Sequence, residues 1–290
     1  MSVSLRPRRS VLYVPGSNTR AIEKARSLAV DAIIFDLEDA VAPAQKAEAR
    51  GHVLAALRDG GFGPRECIVR CNGLDTRWAV DDLEAIARSG ADALLVPKIN
   101  QAADVIAADA ALARHGASAV MALWAMMETP LAMLNAAAIV PASPRLTCLV
   151  MGTSDLAKDL HAQHTPDRLP FITGLGLCLL AARAHGRAIL DGVHLDLDDL
   201  VGFEAQCRQG LALGFDGKTL IHPKTIELAN RVFAPEPVAV AQARRIIEAH
   251  AAAIARGEGV VVVDGRLVEA LHVAEAKRTI ALADAIASRS

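Results

Sequence analysis

Eight short apolar runs recur along the chain, each closed by polar or turn-forming residues: SVLYVPG, DAIIFDLED, ECIVRCNG, DALLVPKIN, AVMALWAMMET, LTCLVMGTSD, RAILDGV and FDGKTLIHP. Their hydrophobicity is nearly continuous rather than alternating, as a strand buried on both faces requires. Alanine-rich segments of helical period lie between them, among them TRAIEKARSLAV and DDLEAIARSG. This βα alternation predicts a parallel sheet, and eight units predict an α/β fold closed as a (β/α)8 TIM barrel. A doubly wound open sheet is the alternative. It is disfavoured because no G-x-G-x-x-G follows the first strand and polar groups punctuate nearly every strand end.

The rhythm stops at APEP, just after Phe233. A helical segment, a strand pair reading VVVVDGRLVE and a last helix follow, with Asp264 and Gly265 as the Asp-Gly signal of a tight hairpin. An isolated hairpin is marginal in water, so this appendage must bury its apolar face against something. The expected organisation is a barrel over residues 1–233 and a helix-hairpin-helix lid over 234–290 that covers a barrel mouth.

Composition narrows the partners. Net charge is −2 with 52% hydrophobic residues, so no strong field draws the chain to nucleic acid or anionic lipid, and a small molecule is the expected partner. The apolar runs fall short of the ~18 residues of a membrane span. The basic run Arg6 to Arg9 is not followed by an apolar segment with a small-residue cleavage site. Five cysteines without paired metal-type spacing fit a reduced, cytoplasmic protein.

In a βα barrel the C-terminal strand ends converge on one mouth, where active sites lie. Glu128 ends the fifth run and Asp155 the sixth, and two carboxylates there repel unless a cation sits between them. Two carboxylates completed by water and substrate oxygens suit magnesium. The competing reading for Asp155 is a helix N-cap, for which Thr153 and Ser154 are equal candidates. Asp36, Glu38 and Asp39 close the second run as a solvated loop or as groups orienting a metal's waters. Arg70, at the third strand end, either pairs with one of those acids or donates to a developing enolate or carboxylate. Lys98 reads as an ion-paired lysine or a Schiff-base lysine, and His222 as a structural histidine or a ligand. VPGSNTRAIEKA turns through a glycine into a helix start, a seat for phosphate with Arg20 and Lys24 within two turns.

VLYVPGSN, FDLEDAVAP, VRCNGLDT, VPKI, ETP, GTSDLAKDL and GKTLIHPKTIELANRVFAP together resemble the family of the citrate lyase beta subunit, malyl-CoA lyase and citramalyl-CoA lyase (the HpcH/HpaI aldolase superfamily), in order over nearly the whole chain. The resemblance implies a barrel with magnesium, or manganese in its place, at the mouth, and a lid reaching a neighbouring subunit of a trimer or hexamer. It implies Glu128 and Asp155 as metal ligands and Arg70 as substrate-binding arginine. It further implies Lys24 as a CoA-phosphate contact, Tyr13 as the first-strand aromatic, and Asp36, Glu38 and Asp39 as the acidic loop. Two positions depart from the family: Asn18 stands where malyl-CoA lyases carry arginine, so that the phosphate contact either passes to Arg20 or is weaker, and Glu269 stands where the lid acid is usually aspartate. The segment after Lys158 is also short beside that of malyl-CoA lyases.

The expected activity is magnesium-dependent carbon-carbon cleavage or formation between a CoA thioester and a 2-oxo acid. Arg70 would stabilise the enolate, and Glu269 of a neighbour or an acid of the DLED loop would handle the proton. Alternatives are a citrate lyase subunit acting on a carrier-protein thioester, a CoA-independent 2-oxo acid aldolase, and a non-catalytic subunit.

Overall fold

The computed structural model describes residues 6–289. Eight parallel strands close in sequence order: β1 (Ser10–Pro15), β2 (Ala32–Asp36), β3 (Glu66–Arg70), β4 (Ala93–Val96), β5 (Ala122–Met127), β6 (Leu146–Met151), β7 (Ala188–Asp191) and β8 (Gly217–Leu220), with β8 returning to β1. The helices between and after them are α1 (Thr19–Ala25), α2 (Lys46–Asp59), α3 (Ala79–Ala87), α4 (Ala102–Arg114), α5 (Pro130–Ile139), α6 (Thr153–Leu160), α7 (Ile172–Ala184), α8 (Leu200–Leu213) and α9 (Ile226–Val232). The expected TIM barrel is therefore the fold, and each of the eight apolar runs supplies one strand.

The strands are buried on both faces because the helices cover one and the barrel interior the other. Val11, Ile34, Ile68, Leu95, Trp124 and Val150 belong to one apolar cluster. At the N-terminal ends of the strands, the Arg8 guanidinium lies 4.8 Å from the Trp124 ring centroid and pairs with Glu66 at 2.7 and 2.8 Å. Arg9 holds Asp31 through two side-chain bonds at 2.8 and 2.9 Å. Arg8 and Arg9 thus have a structural use: they tie down the barrel's foot. Gly217 admits the Arg8 carbonyl, which would lie 1.8 Å from any Cβ at that position.

Residues 8–230 form one compact unit, and residues 231–289 with Arg6 and Pro7 form another. The second contains α10 (Pro237–Ala255), β9 (Val261–Val263), β10 (Arg266–Val268) and α11 (Ala270–Ala287). Asp264 and Gly265 both have positive φ, 48° and 75°, the signature of the two-residue turn that matches strand twist. The hairpin finds cover within its own unit: Val263, Val268 and Val273 are buried, with Ile246, Ile247 and Val261 packed against them. Its core is small but present within the unit.

Candidate functional site

The parallel register makes Asp36 and Arg70 partners on adjacent strands. Arg70 Nε donates to Asp36 Oδ1 and Nη2 to Oδ2, each at 2.7 Å, both side chains being buried. Nη1 lies 2.9 Å from Glu38 Oε2 and 3.4 Å from Asp39 Oδ2. The guanidinium carbon sits 5.0 Å from the Tyr13 ring centroid, a cation-π arrangement. Burial works to raise the Asp36 carboxyl, but Arg70 outweighs it and holds it below the usual range. Glu38 goes the other way: burial pushes it up although Arg70 draws it down. Burial likewise pushes the Tyr13 phenol up.

The acidic loop carrying Glu38 is pinned by Lys46, which sequence reasoning passed over. Lys46, buried at the start of α2, donates from Nζ to the backbone carbonyls of Leu37 and Glu38 at 2.9 and 2.6 Å. A lysine opening a helix carries no local signal of that role; only the fold of the loop over it reveals the contact.

Glu128 directly follows β5, where Thr129 caps α5 through its side chain and Pro130 occupies the first helical turn. That sequence of strand end, cap and proline stops the strand with Glu128 at the mouth. The Glu128 carboxylate is buried and accepts from the backbone N–H of Lys98 at 2.7 Å. Burial pushes it up to about 8, with the charges of Glu38 and Asp155 adding to the effect. Asp155 is not a cap. The N-cap of α6 is Gly152, which leaves Asp155 in the first helical turn, lining a cavity of about 380 Å³ together with Lys98, Thr129, Asp75 and Lys158.

A metal is tested by this donor set. Among the described residues, no three or more His, Cys, Asp or Glu side chains are arranged to hold an ion. The pair Glu128 and Asp155 instead fits a hard cation that keeps much of its water, and a buried carboxylate raised to about 8 and held by a backbone N–H is one that a cation would relieve.

The other candidates separate clearly. Lys98 Nζ pairs with Glu38 Oε1 at 3.2 Å; burial works against its charge, but Glu38 raises its pKa, a poor state for a Schiff-base nucleophile. His222 is exposed and its Nδ1 accepts from the Lys224 N–H, a turn-capping role. Arg20 and Lys24 are exposed on the seven-residue α1, whose Ala21 N–H is already taken by the Asn18 side chain. Glu269 lies in the second unit, exposed, as the N-cap of α11, with its N–H donating to His272 Nδ1. The structure therefore assembles Tyr13, Asp36, Glu38, Arg70, Lys98 and Glu128 into one network and leaves Arg20 and Lys24 outside it.

A second buried network also went unseen in the sequence. Asp191 accepts from Arg168 Nη1 at 2.7 Å and from Lys218 Nζ at 2.9 Å, with all three side chains buried. It joins β7 and β8 to the segment before α7.

The model of the HpcH/HpaI aldolase/citrate lyase family matches residues 9–223. The chain is 54% identical to a (3S)-malyl-CoA thioesterase of Cereibacter sphaeroides (strain KD131 / KCTC 12085), over 99% of each chain. It is 36% identical to an L-malyl-CoA/beta-methylmalyl-CoA lyase of Cereibacter sphaeroides (strain ATCC 17025), over 98% of this chain and 96% of the relative. Among solved structures, CitE from Mycobacterium tuberculosis in complex with magnesium, acetoacetate and coenzyme A is 32% identical, covers 97% of this chain and 100% of its own, and has a TM-score of 0.76. With its barrel, its strand-end acids and these full-length likenesses, the chain belongs to the HpcH/HpaI aldolase/citrate lyase family.

Proposed function

We propose that the chain is a divalent-cation-dependent enzyme of malyl-type CoA thioesters and that its reaction is hydrolysis to the free hydroxy acid and coenzyme A. The observation that carries the site reading is the buried Glu128 carboxylate, raised to about 8 and within electrostatic reach of Asp155. The full-length likeness to a (3S)-malyl-CoA thioesterase supports hydrolysis over the expected lyase reaction. Magnesium, or manganese in its place, would be held by Glu128 and Asp155 and would supply Lewis-acid polarisation of substrate oxygens.

The remaining roles belong to the chain's own side chains. Asp36 holds the Arg70 fork in place. Glu38, raised by burial and touching both Arg70 and Lys98, is the barrel's candidate for moving a proton. Arg20 and Lys24 would meet CoA phosphates. Glu269 would act as the lid acid of a neighbouring subunit in a homo-trimer or hexamer. Five free, buried cysteines support a reducing, cytoplasmic setting.

A second reading, carbon-carbon cleavage to an acyl-CoA and a 2-oxo acid, is favoured by Arg70. Its Nε and one Nη2 N–H serve Asp36, which leaves the second Nη2 N–H for the oxygen of a thioester enolate. The test is to incubate the protein with malyl-CoA, before and after chelation, and quantify products. Free CoA and malate in equal amounts, lost with chelator, restored by magnesium and absent in Glu128→Ala and Asp155→Ala, are the expected outcome. Acetyl-CoA and glyoxylate instead would establish the lyase reading, and turnover indifferent to chelator would overturn the metal.

A further inference from the structure

Two residues beside Glu128 have backbone features that their own positions do not require. Lys98 has φ of 52°, in the left-handed region, where a residue with a side chain is strained. Gly152 has φ −104° and ψ 75°, a conformation open to any L residue. Here the expected assignments are reversed, with lysine where glycine would be comfortable and glycine where none is needed for the backbone.

Glu128 accounts for both. The left-handed turn aims the Lys98 N–H at Glu128 Oε1, 2.7 Å away. At Gly152, a Cβ would stand 2.4 Å from Glu128 Cβ, 2.6 Å from its Oε2 and 3.2 Å from Met126 Cε. The first two are contacts that real Cβ atoms do not make, and one is with an atom next to the backbone that cannot swing away. Glycine is there for space. The Lys98 ammonium in turn reaches Glu38 Oε1 at 3.2 Å.

We propose that the Lys98 N–H and the bare Cα of Gly152 clamp the Glu128 carboxylate in one orientation, so that both govern divalent-cation affinity without touching the cation. They are positioning residues, and the inference rests on the metal reading above. A carboxylate free to rotate would meet the ion in several poses; one held on both sides has already lost that freedom, and groups that orient a ligand are worth about 10–100-fold in metal affinity.

The experiment is a titration with Mn2+ alone, followed by electron paramagnetic resonance and calorimetry on the full chain, with circular dichroism confirming the fold. Gly152→Ala should weaken binding by about tenfold or more. So should replacement of Lys98 by its α-hydroxy acid analogue, which exchanges the N–H for an ester oxygen. The ester variant keeps the clamp falsifiable if Gly152→Ala fails to fold. Wild-type affinity in the folded Gly152→Ala and ester variants would overturn the clamp alone. A wild-type chain that takes up no Mn2+ would overturn the metal reading and the clamp with it.

Discussion

At the end of β3, Arg70 spans both oxygens of Asp36 and reaches Glu38 with a third nitrogen. A lysine keeps the charge but loses the planar fork. Arg70→Lys should therefore lower kcat by about 100-fold, the scale of one lost transition-state donor, with KM little changed; a wild-type kcat would leave Arg70 as only the ion partner of Asp36. Glu128 gives a pH prediction. Its carboxyl lies near 8 when folded against an ordinary 4.5, so between those values the folded, metal-free chain binds more protons than the unfolded one and loses stability as pH rises. A cation displaces that proton, so its affinity should fall as pH drops below 8. Melting of EDTA-treated protein from pH 5 to 8 should show this downward slope, and Glu128→Gln should reduce it; an unchanged slope in the variant would remove Glu128 as the titrating group. Glu128, Asp155, Arg70 and the DLED acids were legible in the sequence because each interrupts or closes an apolar run. Lys46 and Gly152 were not, because one acts through backbone carbonyls and the other through an absent side chain.

Among the elements, the strands were the most legible, since burial on both faces writes an uninterrupted apolar run into each. The hairpin was legible through Asp264 and Gly265, whose positive φ angles are the ones such a turn needs. Helix starts were less so. TSDL offered three side chains as caps, yet the N-cap of α6 is Gly152, with no side-chain cap, at a position where a Cβ would collide with Glu128. PGSN suggested a phosphate seat, but Asn18 itself takes the Ala21 N–H of α1, so Arg20 and Lys24, rather than that N–H, are the groups available to an anion.

For the whole molecule, the division falls between residues 230 and 231, and the second unit has only a small valine-centred core. A chain cut after Phe233 should keep a cooperatively melting barrel but lose at least about tenfold in turnover, as expected when an acid acting at the site is removed. Circular dichroism and the malyl-CoA assay would check this, alongside light scattering of the full chain for the proposed trimer or hexamer; full activity after truncation would exclude Glu269 and the second unit from the chemistry. The sequence by itself determined the barrel, because eight doubly buried strands separated by helical segments have few ways to hide their surface. It also determined which acids stand at strand ends, since a charge can close an apolar run but rarely sit inside one. Only the tertiary structure decided that Asp36 and Arg70 share a register, that Lys46 pins the acidic loop, that Arg8 and Arg9 tie down the barrel's foot and that Glu128 lies between Lys98 and Gly152. Those relations join residues tens of positions apart, and barrel closure brings them within hydrogen-bonding distance, where no local pattern of hydrophobicity or propensity records them.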